Sequence, residues 1–336
     1  MSTRNSDRPL DTYIEAYHTN QQVENLSPRT VDSNHWRLSR YRLWLGAQVD
    51  HDPLLCDFTI DNTKQYVLAL RQRKPYEGHP RHPAIEDRPL TDQTVESHTR
   101  SLKAFAKWLF KERATKDDVL KGFKTPKAEQ TLIEPLTDDE IKRMFKALNT
   151  RTDSGARNYA ICWLFLDTGV RSSELCGLTV DDVHIDEPRG WIKVKGKGRK
   201  ERIVYLGRGC QQAMLYYANF VREGALGKSF FLSRAGRPMQ RVVIQKMFFH
   251  LRESCGIERL HAHLLRHTYA SQFLAHGGDA ISLQRNLGHT TMKMTEHYVE
   301  LNEQQMAGIK ERVSPMDILG LPPMKRRYNR TSKKNE

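Results

Sequence analysis

The chain has 336 residues, about twice the length of a typical single domain, so two domains with at least one large core are expected. Its 38% hydrophobic and 28% charged residues describe a soluble folded protein and exclude a chain too polar to collapse. Lys and Arg outnumber Asp and Glu by 54 to 40, a net charge of +14 that favours a polyanionic partner, nucleic acid being the commonest. The bland alternatives are a ribosomal or membrane-surface protein, or simple solubility charge. Cys56, Cys162, Cys176, Cys210 and Cys255 are scattered with no CxxC pair, which argues against a disulfide framework or zinc ribbon and for a reduced, cytoplasmic protein. No run approaches the ~18 apolar residues of a membrane span, and the first eight residues lack the apolar stretch of a secretory signal.

Residues 1–120 read as a helical domain. Ser27-Pro28 is a helix start, an N-cap followed by proline at the first helical position. Val31, Trp36, Leu38, Tyr41, Leu43 and Leu45 follow it in a helical pattern with some slippage. A shorter helix is expected from about Asn62 to Arg71, then a proline-rich surface loop over 74–90. Thr91 opens a helix with Val95, Leu102, Phe105, Trp108 and Leu109 on one face. Arg100, Lys103 and Lys107 lie on another, either as a solvated charge face or as a stripe for DNA phosphates. Residues 121–136, with Gly122, Pro126 and Pro135, read as a linker.

A second domain is expected over 137–322, opening with the capping box Thr137-Asp138-Asp139-Glu140. The apolar segment from Tyr159 to Leu166 ends at Thr168-Gly169, a helix C-cap. Trp191–Val194 and Arg202–Tyr205 alternate around Gly196-Lys197-Gly198 and predict a hairpin. Helices are expected near 208–222, 241–254, 261–275, 280–287 and 302–312, with a basic disordered tail over 323–336. The fold class is therefore mainly α with a small β-sheet, α+β overall.

Unusual residues then fall in a definite order. Arg171 stands just past Gly169, with Glu174 three residues on. His263 and Arg266 share one helix face, His289 follows Gly288, and Tyr298 comes nine residues later. Two arginines can clamp the nonbridging oxygens of a phosphodiester and stabilise the charge of a pentacoordinate transition state. Tyrosine is a fitting nucleophile because its phosphoester conserves the bond for religation. A lysine or histidine can protonate the departing 5′ oxygen. Beside these residues the sequence carries no Asp/Glu cluster with metal-ligand spacing, so neither metal nor cofactor is expected.

Taken singly, each residue has a plainer reading. Arg171 could be a salt-bridge arginine to Glu174, and Lys197 competes with Lys193, Lys195, Arg199 and Lys200 in a basic hairpin. His261 and His267 flank His263, and Tyr269, Tyr205, Tyr216 and Tyr217 are rival tyrosines, Tyr269 on a core-facing helix. Together, the Arg171 segment, the hairpin turn, His263-x-x-Arg266, Gly288-His289 and Tyr298 resemble in order and spacing the signature of the tyrosine recombinase or phage integrase family, Xer-type enzymes included. The likeness covers about 135–315; the N-terminal helices resemble the family's core-binding domain by position and helix content only.

The resemblance implies that Arg171 and Arg266 bind the scissile phosphate, with Glu174 supporting the arginine. Lys197 would be the general acid, His263 the acid/base partner and His289 a phosphate hydrogen-bond donor. Tyr298 would form a 3′-phosphotyrosine. It further implies a C-shaped clamp on double-stranded DNA bearing a specific site, and a homotetramer, with or without accessory proteins, exchanging strands through a Holliday junction in the cytoplasm at the nucleoid. The segment over 302–320 would dock on a neighbouring subunit. Gln240 and Arg241 stand at a helix start, and with Gln245 they either read bases in the major groove or belong to a packing helix. Three rivals stand beside this reading: a type IB topoisomerase, a non-catalytic DNA-binding regulator of the same fold, and a telomere-resolving hairpin former.

Overall fold

The computed structural model describes residues 7–75, 89–127, 133–185, 189–196, 200–222, 224 and 227–292. The chain divides into two compact units, residues 1–131 and 132–336, each with its own core.

The first unit is built on four helices, α1 (Leu10–Val23), α2 (Pro28–Gly46), α3 (Ile60–Gln72) and α4 (Asp92–Lys111). Ser27, Thr59 and Thr91 cap α2, α3 and α4 by accepting from the amide three residues on. Val31, Leu38, Tyr41 and Leu45 form the buried face of α2. Trp36 and Leu43 differ from the pattern expected, being 52% and 61% exposed. At 100° per residue Trp36 lies about 200° from Leu38, and Leu43 the same from Tyr41, and Arg40 covers the Trp36 ring from 5.5 Å. Val95, Leu102, Phe105 and Leu109 turn α4 inward against α2 and α3.

The second unit opens with α5 (Asp138–Lys146), whose Thr137–Glu140 capping box forms as the sequence predicts. Then come α6 (Asp153–Thr168), α7 (Ser172–Cys176), β1 (Val183–His184), β2 (Trp191–Lys195) and β3 (Glu201–Tyr205), followed by α8 (Arg208–Tyr216), α9 (Arg241–Cys255), α10 (Ala262–Ala275) and α11 (Ala280–Leu287). A π-helical turn, Tyr217–Val221, extends α8. The strands form one antiparallel sheet in the order β1-β2-β3. The two-residue β1 is a strand too short to announce itself by alternation. Ile192 and Val194 of β2 and Val204 of β3 point into the core. Every residue of α10 from Leu264 to Ser271 is buried, so the middle of this helix is enclosed by the unit, while His263 in its first turn is exposed. The helix packs on α6 and α11, and this central position brings Arg266 inside.

Candidate active site

The site starts where α6 stops. Gly169 ends the helix in the left-handed conformation, φ +62°, and a Cβ there would stand 2.5 Å from Tyr269 Cδ1 and 2.7 Å from Leu287 Cδ2. Glycine is required both by the dihedral and by the packing. The turn buries Val170 and sets Arg171 at the head of α7. There the Arg171 amide donates to Glu174 Oε2 at 2.8 Å and its guanidinium Nη1 to Oε1 at 2.9 Å.

Glu174, 3% exposed, receives two more bonds, from Arg202 Nη1 to Oε1 at 2.8 Å and from Arg202 Nη2 to Oε2 at 2.9 Å. Each carboxylate oxygen thus accepts two donors, its full capacity. Burial would raise the Glu174 pKa, but the Arg202 hydrogen bonds, the Arg171 amide and both guanidinium charges outweigh it and hold it below the ordinary value. The carboxylate is therefore ionised at neutral pH.

Arg266 ties two helix ends together. Its Nη1 donates to the Gly169 carbonyl at 2.5 Å, and its Nη2 to the Leu287 carbonyl at 2.9 Å. Nη2 also lies 2.9 Å from His289 Nε2. A guanidinium has no acceptor, so the Nε2 lone pair receives this bond and the imidazole is neutral with its proton on Nδ1. Burial, then the charges of Arg266, Arg171 and Arg202, push the His289 pKa down to about 4. Arg171 reaches the same turn, its Nη2 lying 3.4 Å from the Gly288 carbonyl. His263, one turn before Arg266 on α10, meets the His267 ring edge-on at 4.5 Å. Its pKa is lowered by burial and then by Arg266, His261 and Arg171, so it too is neutral near pH 7.

Five of the residues singled out in the sequence, Arg171, Glu174, His263, Arg266 and His289, thus gather around the ends of α6, α7, α10 and α11. Three guanidiniums against one carboxylate leave a net positive pocket, suited to a phosphate. Among the described residues, no group of three or more His, Cys, Asp and Glu could hold a metal ion. Lys197 and Tyr298 lie outside the described residues. Gly196, the residue before Lys197, closes the hairpin by donating its amide to the Lys200 carbonyl at 2.8 Å. A Cβ on Gly196 would stand 3.5 Å from Glu174 Oε1, so the hairpin base abuts the buried carboxylate.

The residues expected to meet DNA are placed unevenly. Arg100 is paired with Glu96 at 2.6 Å, Lys103 donates to the Phe123 carbonyl at 2.6 Å, and Lys107 is exposed. Gln240 is the N-cap of α9, and Arg241 and Gln245 lie exposed beside the stripe of buried Ile244, Phe248 and Leu251. One groove is lined by Gln245, Lys246, Arg252, His261 and Ser172, the residue after Arg171. Val242, Phe248 and Phe249 add apolar surface to the same groove.

Sequence reasoning missed Arg202. The signal was there: in register opposite buried Val194 and two residues before buried Val204, it is an arginine on the inward face of a strand.

Of the rival tyrosines, two are buried and hydrogen-bonded and two are exposed. Tyr269 is buried and accepts from the Asn286 amide at 3.1 Å, and the Tyr217 hydroxyl accepts from the Leu232 amide at 3.0 Å. Tyr205 and Tyr216 are exposed on β3 and α8.

The model of the phage integrase family matches residues 134–305. The tyrosine recombinase XerD of Staphylococcus haemolyticus is 28% identical over 313 residues, covering 91% of this chain and 99% of the relative. The tyrosine recombinase XerC of Bacillus pumilus is 30% identical over 228 residues, covering 65% of this chain and 73% of the relative. In fold, the chain is similar to the XerH site-specific recombinase bound to palindromic difH substrate, with TM-score 0.66 and 17% identity over 93% of this chain and 91% of that one. It is similar also to the Tn1549 transposon integrase in complex with transposon right end DNA, with TM-score 0.68 and 18% identity over 90% and 99% of the two chains. The chain belongs to the phage integrase family of tyrosine recombinases and is a site-specific DNA recombinase.

Proposed function

We propose that Arg171 and Arg266 receive the scissile phosphate of a DNA strand and that Tyr298 attacks its phosphorus. The observation that carries this reading is the convergence of two guanidiniums from different helices on one turn, Leu287-Gly288-His289. Each is fixed before substrate arrives, so little reorganisation is needed when charge builds up on the phosphoryl oxygens. The Nδ1–H of His289 supplies a further donor. The Tyr298 phenol gives its proton to neutral His263 as its oxygen bonds to phosphorus, the bond from phosphorus to the 5′ oxygen breaks, and Lys197 protonates that leaving oxygen, giving a 3′-phosphotyrosine. Attack by a 5′ hydroxyl reverses the step, returns the proton and releases the tyrosine. His263, neutral at working pH, exchanges protons with the reacting groups.

Around this chemistry we place a homotetramer on two synapsed sites, strand exchange through a Holliday junction, and the segment over 302–320 as the subunit-docking element. The helices of residues 1–120 serve as the DNA clamp, 121–136 as its linker, and 137–322 as the catalytic domain. The exposed face of α9 reads bases through Arg241 and Gln245. The biological setting is rearrangement at a defined site: integration or excision, transposition, or resolution of chromosome or plasmid dimers.

The test is selection from a pool of nicked random-sequence duplexes in EDTA, recovering DNA attached to the protein after detergent. Arg171→Ala and Arg266→Ala are expected to lower adduct formation at least ~100-fold while DNA affinity on the selected site changes less than about threefold. Equal loss of affinity and cleavage would mark these arginines as ordinary backbone contacts.

A further inference from the structure

We infer that Arg202 is a positioning residue for the phosphate pocket: from β3 it locks the Glu174 carboxylate that orients Arg171, and through the Asn286 carbonyl it holds the end of α11 that presents His289. The inference rests on the pocket function above and adds a residue that makes no contact with the reacting atoms. Arg202 spends both ends of its fork on Glu174, at 2.8 and 2.9 Å, and its Nε on Asn286 at 2.8 Å. The same Glu174 oxygens take the amide and Nη1 of Arg171. Arg171 therefore stands at a fixed angle because the carboxylate it leans on is itself held from the far side.

Close packing adds to the restraint. A Cβ on Gly288 would approach Arg202 Nη1 to 2.8 Å, and one on Gly196 would stand 3.7 Å from it. The guanidinium thus fills the space between the base of the hairpin and the turn before His289. Lysine cannot replace it. An ammonium has three donors around one point and no planar fork to span both carboxylate oxygens while also reaching a carbonyl.

The consequence is that hairpin, arginine and histidine turn move as one body. A shift of the hairpin base is therefore passed to Arg171 through Arg202 and Glu174. Misplacement of a phosphate-holding group by about 1 Å costs ~100-fold in rate.

The test uses the full chain with Arg202→Met, Arg202→Lys, Glu174→Gln and the double variant Arg202→Met/Glu174→Gln. Single-turnover adduct formation is measured on a nicked duplex of the selected sequence, and affinity on the same duplex. Both Arg202 variants are expected to lose ~100-fold in cleavage rate with affinity kept within about threefold. In the Glu174→Gln background, Arg202→Met should cost less than about threefold more, because the two residues act through one another. Additive losses, or wild-type rates in Arg202→Lys, overturn the inference. A second measurement needs no DNA: nitrogen-15 spectra of the guanidiniums, with the Arg171 signal assigned by Arg171→Lys. Separate, slowly averaged Arg171 Nη signals are expected in the unsubstituted protein and collapsed ones in both Arg202 variants. Unchanged signals refute the positioning role. If the unsubstituted protein forms no adduct on any duplex, the pocket function fails, and the Arg171 spectra still decide whether Arg202 holds it.

Discussion

Truncating Glu174 to alanine is expected to destabilise the second unit, because it leaves two guanidiniums facing one another with no carboxylate between them. The gross loss is large. Four hydrogen bonds end on this side chain, each to a charged partner or from a backbone amide, and such bonds contribute ~1.5–3 kcal/mol where a charge is involved. Much of that sum is offset by the cost of removing the charges from water, and removal of one partner from a buried ionic group costs ~3–5 kcal/mol net. Glu174→Gln keeps one oxygen that accepts two donors but turns an NH2 toward the other two, so ~2–3 kcal/mol is expected from the unsatisfied groups.

Hydrogen exchange followed by mass spectrometry on β3 and α10 reads the loss locally, without relying on the first unit to unfold in step. At 1.4 kcal/mol per tenfold, the alanine variant should exchange roughly 100- to 4000-fold faster in these peptides, and the glutamine variant between it and the parent. Protection within threefold of the parent in Glu174→Ala would refute the view that this carboxylate is the keystone of the pocket. The acid side follows the same logic. The folded Glu174 pKa lies below its unfolded value, so its contribution is complete above the unfolded pKa and disappears as pH falls through the folded one.

Three shorter predictions follow. His289 and His98 are each pushed down to about 4, His98 by burial and then the charges of Arg37, Arg73 and Arg40. Both should stay neutral at pH 5.5 in an NMR titration. Because the unfolded chain binds these protons first, near the ordinary histidine value of about 6.5, both units should lose stability as pH falls from there toward 4. A His289 ring that titrates above pH 6 would contradict the Nε2 acceptor role. Gly169→Ala forces a side chain into φ +62° and against Tyr269, and should lower the melting temperature by roughly 5 °C or more through strain and overpacking. An unchanged melting curve would show that the α6 turn is not so constrained. Arg171→Ala and Arg266→Ala separate cleavage from binding as described for the selected duplex.

Much of the second unit was legible because its elements carry local signals. The Thr137 box, the Gly169 and Gly288 helix ends and the alternation of β2 and β3 all depend on residues within a few positions of each other. The pocket residues were legible for a different reason: arginines and histidines in a fixed order carry a family pattern, which no propensity would reveal. What escaped depends on tertiary contacts. Arg202 joins Glu174, 28 positions away in sequence, and Asn286, 84 positions away, and only the pairing of β3 places it between them. Lys103 read as one of three alike cations, yet a carbonyl 20 residues on engages its ammonium. Trp36 fitted an apolar pattern and faces solvent because α2 has a single buried stripe, set by Leu38 and Tyr41.

The most direct measurement concerns the phenol of Tyr298. The unsubstituted protein and Tyr298→Phe are incubated in EDTA with the selected nicked duplex, then denatured, digested with protease and nuclease, and analysed by mass spectrometry. The account predicts a single peptide spanning residue 298 that carries a 3′-linked nucleotide, and no adduct from Tyr298→Phe despite unchanged DNA binding. A nucleotide on any other residue, or an adduct persisting in the phenylalanine variant, would contradict it.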